Sequence, residues 1–346
     1  MPNIQKSTIF SIALCLSLVN LPAHAAPITV ISFGGAGKQA QVKAFYTPFK
    51  QQTNTSVIAG EYNGEMANIK AMVDTHSVTW DVVEVESPEL LSGCDEGLFE
   101  QLDPSMIKDA SSFEKGTITP CGVGLHVSSY MMAYDSNRLK TPPQGWKDFW
   151  DVKKYPGKRG LRRGAKHNLE YALMADGVPS TDIYKVLATK EGQDRAFRKL
   201  DELKPYIQWW TAGAQPLQYL MAGDVVMSSA YNGRVAALRK DTGLRIVWNG
   251  GILDFDSWAI PKGSPNVAQA KEFIAFASRP EQQKVYTETL FYSPTNRKTF
   301  DLLDQELQSI LPTAPQNMPG QIYLDSAFWA DYGEQLEQRF NAWAAK

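Results

Sequence analysis

The 346-residue chain is 43% hydrophobic and 21% charged, with 35 Lys and Arg against 37 Asp and Glu. That composition belongs to a folded protein and excludes disordered, collagenous and multi-span membrane chains. A formal net charge of -2 also excludes nucleic acid as a partner, because phosphate binding needs a basic excess gathered on one face. The length is more than one hydrophobic core usually organises, so two domains are expected.

Lys6 precedes an apolar run, IFSIALCLSLV, followed by Pro22 and the small-x-small triplet Ala23-His24-Ala25. Residues 1–25 are therefore expected to be a cleaved secretory signal, and the mature chain a periplasmic protein starting at Ala26. The run is too short to anchor in a bilayer, and no later stretch approaches about 18 apolar residues. Cys15 follows Leu14, where a lipid-attachment site would carry a small residue, so no lipid anchor is expected. Loss of the leader leaves Cys94 and Cys121, an even pair in an oxidising compartment, and a disulfide is expected. Two free buried thiols are the alternative.

The mature chain begins with ITVISF over 28–33, a continuous apolar run closed by Gly34-Gly35 and read as a buried strand. Val42, Phe45, Tyr46 and Phe49 then recur at i, i+3, i+4 and i+7, predicting a helix with one apolar stripe. Thr55 to Tyr62 reads as a second strand, Met66, Ile69 and Val73 as a helix face, and Trp80 to Glu86 as a third strand. This alternation is that of an α/β fold with a parallel sheet covered on both faces. GVGLHVSSYMMAYD after Cys121 is strand-like, and the Pro-, Gly- and Trp-rich stretch that follows marks a boundary. Beyond it come a helix near 193–204, strands at 206–210, 224–231 and 244–248, and helices at 267–278 and 280–290. There are no repeats.

The chemistry-bearing motifs are few. Gly35-Ala36-Gly37-Lys38-Gln39-Ala40 fits G-x-G-x-x-A between a strand and a helix, but the pattern has few fixed positions, and a P-loop would need a hydroxyl after Lys38. An anion held by backbone N–H groups, or a plain tight turn, are the readings left. His76, His126 and His167 match no ligand spacing, so no metal is expected, and no nucleophile elbow or nucleotide motif calls for a cofactor. Asp254 and Asp256, two apart on a strand-like stretch, share a face. They suit a cation, with an exported hydrolase acting through them as the alternative. Phe33, Tyr231 and Tyr292 each stand where a strand gives way to a turn, the place where open α/β sheets bind ligands.

At these residues the chain resembles the periplasmic solute-binding proteins of ABC importers, in the spermidine/putrescine-binding group. ITVISFGG, SAYNGRVAA, DFDSWAIPKGSPN, FYSPTN and FWADYGEQLEQRFNAW carry the likeness over nearly the whole mature chain. The resemblance implies the two-lobe periplasmic binding protein fold of type II, with crossing hinge strands and the ligand in the interlobe cleft. Lobe 1 is expected over 26–135 plus 258–296, and lobe 2 over 136–257 plus 297–346. It also implies a monomer that delivers its solute to permease subunits in the inner membrane, with an ATPase on another chain. Position by position, the family's first-strand aromatic falls on Phe33, and the polar and acidic residues after it on Gly34 and Gly35. Its W-N-G motif falls on Tyr231-Asn232-Gly233, its amine-binding aspartate on Asp256, an aromatic two residues earlier on Asp254, and a later tyrosine on Tyr292. Ser87 and His167 complete the implied ligand-contacting set.

The departures bear on the ligand. A diamine needs a carboxylate at both ends, because a buried ammonium costs several kcal/mol unless paired. This chain loses three of those acids and places Arg234 after Asn232-Gly233, and Arg162, Arg163 and Lys166 beside the former second-lobe acids. Because a guanidinium recognises carboxylate in bidentate fashion, Asp256 or Asp254 with Arg234 suits an ω-amino acid such as 4-aminobutyrate at least as well as a polyamine. A solvated basic surface is the competing account of Arg162, Arg163 and Lys166.

Overall fold

A computed structural model describes residues 26–346; the leader expected over 1–25 lies outside the described residues. Ten strands form one mixed sheet. They are β1 (Ile28–Ser32), β2 (Val57–Glu61), β3 (Val82–Glu86), β4 (Gly122–Asp135), β5 (Arg159–Arg162), β6 (Ile207–Trp210), β7 (Met227–Tyr231), β8 (Leu244–Ala259), β9 (Ser293–Pro294) and β10 (Ile322–Tyr323). The order is β2-β1-β3-β8-β4-β7-β5-β6, with β9 on β4 and β10 on β8.

At one end β1 pairs in parallel with β2 and β3, and at the other β5 pairs in parallel with β6 and β7. These are the α/β segments that the alternation of apolar runs and helical stripes predicts. Between them lie the two long strands, β4 with 14 residues and β8 with 16, antiparallel from Gly122↔Ala259 to Asp135↔Leu244. The last residues of β8 pair with β3, whereas the second half of β4 pairs with β7. Each long strand thus begins in one set of helices and ends in the other.

The buried side chains follow the same division. Val30, Phe45, Phe49, Val123, Leu125, Trp258 and Phe273 pack in one core, with a smaller neighbour around Ile69, Val83 and Leu90. Met132, Phe149, Leu173, Leu200, Ile252, Trp329 and Phe340 pack in the other. Met132 and Tyr134 are inside this second core, and Met131 and Ala133 in a smaller one with Leu217 and Leu220, so β4 leaves the first core near Ser128–Tyr130. Asp256, paired with Glu86 of β3, belongs to the first side.

Two local expectations are corrected. The helix after β1 passes through a π-type turn at Val42–Tyr46 between Gly35–Gln41 and Thr47–Thr53. The wider turn shifts the register by part of a residue, so Phe45 and Phe49 stay buried while Val42 rotates out to 39% exposure and the polar Gln41 is buried instead. The strand expected to stop at 248 runs on through Asn249-Gly250-Gly251 to Ala259. Its pairing with β4 slips between Tyr130 and Met132, and Gly250, at φ 80°, takes the left-handed conformation that the irregular stretch needs.

Cys94, at the end of the helix Ser87–Asp95, is bonded to Cys121 at the entry to β4, with the Cα atoms 5.8 Å apart. The bond ties the helix that follows β3 to the first crossing strand. A loop of 27 residues removes chain entropy worth about 3–4 kcal/mol. Reduction under native conditions, or the double substitution Cys94→Ser with Cys121→Ser, should lower the unfolding free energy by that amount in a guanidinium titration. An unchanged midpoint would show that the bond does not constrain the unfolded chain.

Candidate functional site

The ends of β1, β3 and β7, the middle of the crossing strands and the loop after β5 enclose a cleft of about 650 Å³. Strands end here because their buried runs give way to residues that permit turns. Gly34 and Gly35 have φ of 74° and 58°, and a Cβ on Gly34 would lie 2.5 Å from the Glu61 carboxylate. A side chain at 34 would therefore displace the Glu61–Lys38 pair that closes this rim at 2.9 Å.

Of the residues singled out from sequence, Phe33, Gly34, Gly35, Tyr231, Arg234, Asp256 and Tyr292 line the cleft. Aromatic rings form much of its wall: Phe33 stacks on Tyr62 at 5.3 Å, Tyr292 on His126 at 4.4 Å, and Tyr231 leans on Tyr130 at 4.9 Å. Gly213 lets the Arg234 guanidinium lie against the backbone, since a Cβ there would stand 2.8 Å from its Nε.

The other four are placed outside the lining, each for a visible reason. The Asn232 amide is fully buried; its Oδ1 accepts from the Ser129 N–H at 2.9 Å and its Nδ2 donates to the Phe291 carbonyl at 2.8 Å. It fastens the turn carrying Tyr231 and Arg234 to β4. Ser87 donates to Asp254 at 2.5 Å and meets the Ser326 hydroxyl at 2.7 Å, so both side chains are committed behind the cleft wall. Burial, then the charge of Glu86, pushes the Asp254 carboxyl up to about 7. Because Asp254 does not reach the cleft, Asp254 and Asp256 are not an acid pair presented to one ligand. His167, at φ 73°, stacks under Tyr130 at 3.9 Å and makes no hydrogen bond through either ring nitrogen. Burial, then Lys166 and Arg162, holds it neutral.

The cleft also holds three acids that sequence reasoning missed and two cations whose place the sequence left open. Glu84 and Glu86 face it from β3, Glu89 from the following helix, and Lys166 and Arg162 from beside β5. The signal for the first two was present: WDVVEVE is a buried strand interrupted by acids at a period of two. Lys166 and Arg162 form no solvated basic surface, although Arg163 between them is exposed. Lys166 Nζ lies 2.5 Å from Glu86 Oε2 and 3.1 Å from Glu89 Oε1, and Arg162 Nη1 3.9 Å from Glu86 Oε1. Although burial works to raise it, Lys166 and Arg162 hold the Glu86 carboxyl down to about 2.

Glu84, His126 and Asp256 offer ligand atoms that all lie within 4.8 Å of one another, the one group among the described residues able to grip a metal ion. Glu84 accepts from Gln41 Nε2 at 2.9 Å and the Phe33 N–H at 3.3 Å, and Asp256 lies 3.5 Å from His126 Nε2. Burial raises Glu84 to about 7; burial, then the charge of Glu84, raises Asp256 well above the usual carboxylate range, while a hydrogen bond from Asp256 favours the charged form of Glu84. Burial also lowers His126 to about 3, which leaves it neutral. The two acids therefore share a proton near neutrality, and the pocket carries about one negative charge. That suits an ammonium as readily as a metal.

Residues 44–310 match the family model of bacterial extracellular solute-binding proteins. Over 325 residues the chain is 59% identical to the gamma-aminobutyric acid-binding protein of Pseudomonas aeruginosa, covering 94% of this chain and 92% of that one. It is 28% identical to the spermidine/putrescine-binding periplasmic protein of Salmonella typhimurium over 204 residues, 56% of each. A solved structure of the Atu4243 GABA receptor superposes with a TM-score of 0.85 at 32% identity, covering 92% of this chain and 98% of that one. The chain belongs to the bacterial extracellular solute-binding proteins. Its fold is that of the periplasmic binding proteins, and no helix among the described residues is long and apolar enough to cross a membrane.

Because Asn232 satisfies one buried and one partly buried backbone group, Asn232→Ala should lower stability by about 2–4 kcal/mol, the cost of leaving both unpaired. Thermal or urea unfolding of the ligand-free protein measures it, and a loss below about 1 kcal/mol would return Asn232 to a purely ligand-facing role.

Proposed function

We propose that this protein captures an ω-amino acid, 4-aminobutyrate or a close homologue, in the periplasm and delivers it to the permease of an ABC importer. The observation that carries the reading is what remains in the cleft after its charges pair among themselves. Glu86 and Glu89 are neutralised by Lys166, with Arg162 beside them. Left over are the proton-sharing pair Glu84 and Asp256 and the guanidinium of Arg234, which has no carboxylate partner among the described residues. One uncompensated acid site and one uncompensated arginine, separated by the Tyr231 and Tyr292 rings, complement a zwitterion whose ends stand apart. The 59% identical relative bears the name of a gamma-aminobutyric acid-binding protein, which supports the same class.

The role is binding. The gamma-aminobutyric acid-binding and spermidine/putrescine-binding relatives are binding proteins by name, and Asp254, bonded to Ser87, does not line the cleft where a hydrolase would need it. The mature chain acts as a monomer released by cleavage after Ala25, with permease and ATPase supplied by other chains.

The charge logic is tested by titration calorimetry with 4-aminobutyrate. Asp256→Asn and Arg234→Ala should each weaken binding by about 2–5 kcal/mol, since each orphans one buried ligand charge. The ligand ammonium takes the place of the shared proton, so binding should release protons and tighten as pH rises towards about 7, the raised value of Glu84. Titrations in two buffers of different ionisation enthalpy read that release. Parent-like affinity in both variants would refute the reading.

We also propose that residues 26–128 with 254–311 form one lobe and 129–253 with 322–346 the other, closing by bending of β4 and β8 where they change sides. The cleft wall is drawn from both lobes, so a ligand touching both favours the closed state. Small-angle scattering should give a smaller radius of gyration with saturating ligand, and an unchanged radius with binding demonstrated would argue for a preformed rigid cleft.

A further inference from the structure

The cleft contains four acids, a number suited to a ligand with two ammonium groups, yet two of them are satisfied by the protein itself. We propose that Lys166 is a built-in occupant of a second ammonium subsite formed by Glu86 and Glu89, and thereby the residue through which the cleft rejects diamines. The inference rests on the amino-acid reading above and deepens it.

The spacing supports such a subsite. Glu84 and Glu86 lie two residues apart on β3, both in the lining of the cleft. Same-face neighbours on a strand are roughly 6–7 Å apart, the reach of a short aliphatic diamine. One end of that span is the Glu84 and Asp256 pocket, free to take an ammonium. At the other, Lys166 Nζ bonds both Glu86 and Glu89 and is itself an ammonium on an alkyl stem.

Glu89 keeps a buried Oε2 with no hydrogen-bond partner, so the subsite has acceptor capacity beyond what Lys166 uses. Glu86 would otherwise retain only the Tyr130 hydroxyl at 3.2 Å and the distant Arg162.

Lys166 is held in place before any ligand arrives. Glu337 Oε1 accepts from the Ala165 and Lys166 N–H groups at 2.8 and 3.2 Å, and Asn168 Nδ2 donates to the carbonyls of Arg162 and Gly164 at 2.6 and 2.7 Å. A tethered ammonium competes at an effective concentration that a free solute does not match. A second ligand ammonium would have to expel Lys166 and leave a buried cation unpaired.

The experiment is calorimetric titration of the parent, Lys166→Met and Lys166→Gln with putrescine and with 4-aminobutyrate, each variant checked for cooperative melting. The parent should bind 4-aminobutyrate and give no measurable heat with putrescine. Either variant should bind putrescine at least tenfold more tightly than the parent does, and adding Glu86→Gln to Lys166→Met should abolish the gain. Folded variants that bind putrescine no better than the parent would overturn the proposal, as would a gain that survives Glu86→Gln. Failure of the amino-acid reading would show separately, as absence of 4-aminobutyrate binding by the parent.

Discussion

Seven carboxylate, lysine and arginine side chains meet in one largely buried cleft, and the need to neutralise them governs the site. Glu84, Glu86, Glu89, Asp256, Arg162, Lys166 and Arg234 all line it. A buried charge without a partner costs several kcal/mol, so each must find a counter-charge, share a proton or await a ligand. Lys166 answers Glu86 and Glu89, and Glu84 and Asp256 share a proton. Arg234 has no carboxylate partner among the described residues and, on the function proposed above, awaits the ligand. The solute specificity is then the remainder of an internal pairing, and a change to any one member alters what the others require.

This pairing is possible because two long strands carry residues from one core into the other. β4 and β8 bring His126, Tyr130 and Asp256 to the middle of the cleft, while β3 and β5 supply the opposing charges from either side. The residues behind the wall do the positioning. Asn232 fixes the turn that aims Arg234, Ser87 and Ser326 join the helix after β3 to the C-terminal helix Ser326–Ala344, and Gln41 and the Phe33 N–H orient Glu84. Gln41 is available for this only because the π-type turn at Val42 rotates it inward.

The relation to the polyamine-binding relatives takes a definite physical form. The likeness extends over fold and part of the sequence, while the resemblance implies different charges facing the ligand. The resemblance implies that Gly34 and Gly35 stand where that group carries polar and acidic residues, and on the proposal above Lys166 fills the place of a second ammonium. A cleft of this kind changes ligand class through few substitutions, since specificity rests on which charges remain unpaired and the scaffold is left as it was.

The α/β organisation, the strands around ITVISF and GVGLHVSSYMMAYD and the pairing of Cys94 with Cys121 were legible in the sequence, because hydrophobic period and cysteine parity are local properties of the chain. So was the place in the cleft wall of Phe33, Tyr231 and Tyr292, which stand where a strand gives way to a turn, whereas Arg234 and Asp256, inside a helix and inside β8, were placed at the ligand only through the resemblance to a family. Only the tertiary structure decided that Asn232, Ser87, His167 and Asp254 serve the wall, and that Lys166 reaches Glu86 across the cleft from 80 positions along the chain. Whether a polar side chain meets ligand, solvent or another side chain depends on what the opposite core brings within about 3 Å of it. That distance is set by how two lobes pack, and spacing along one strand carries no record of it.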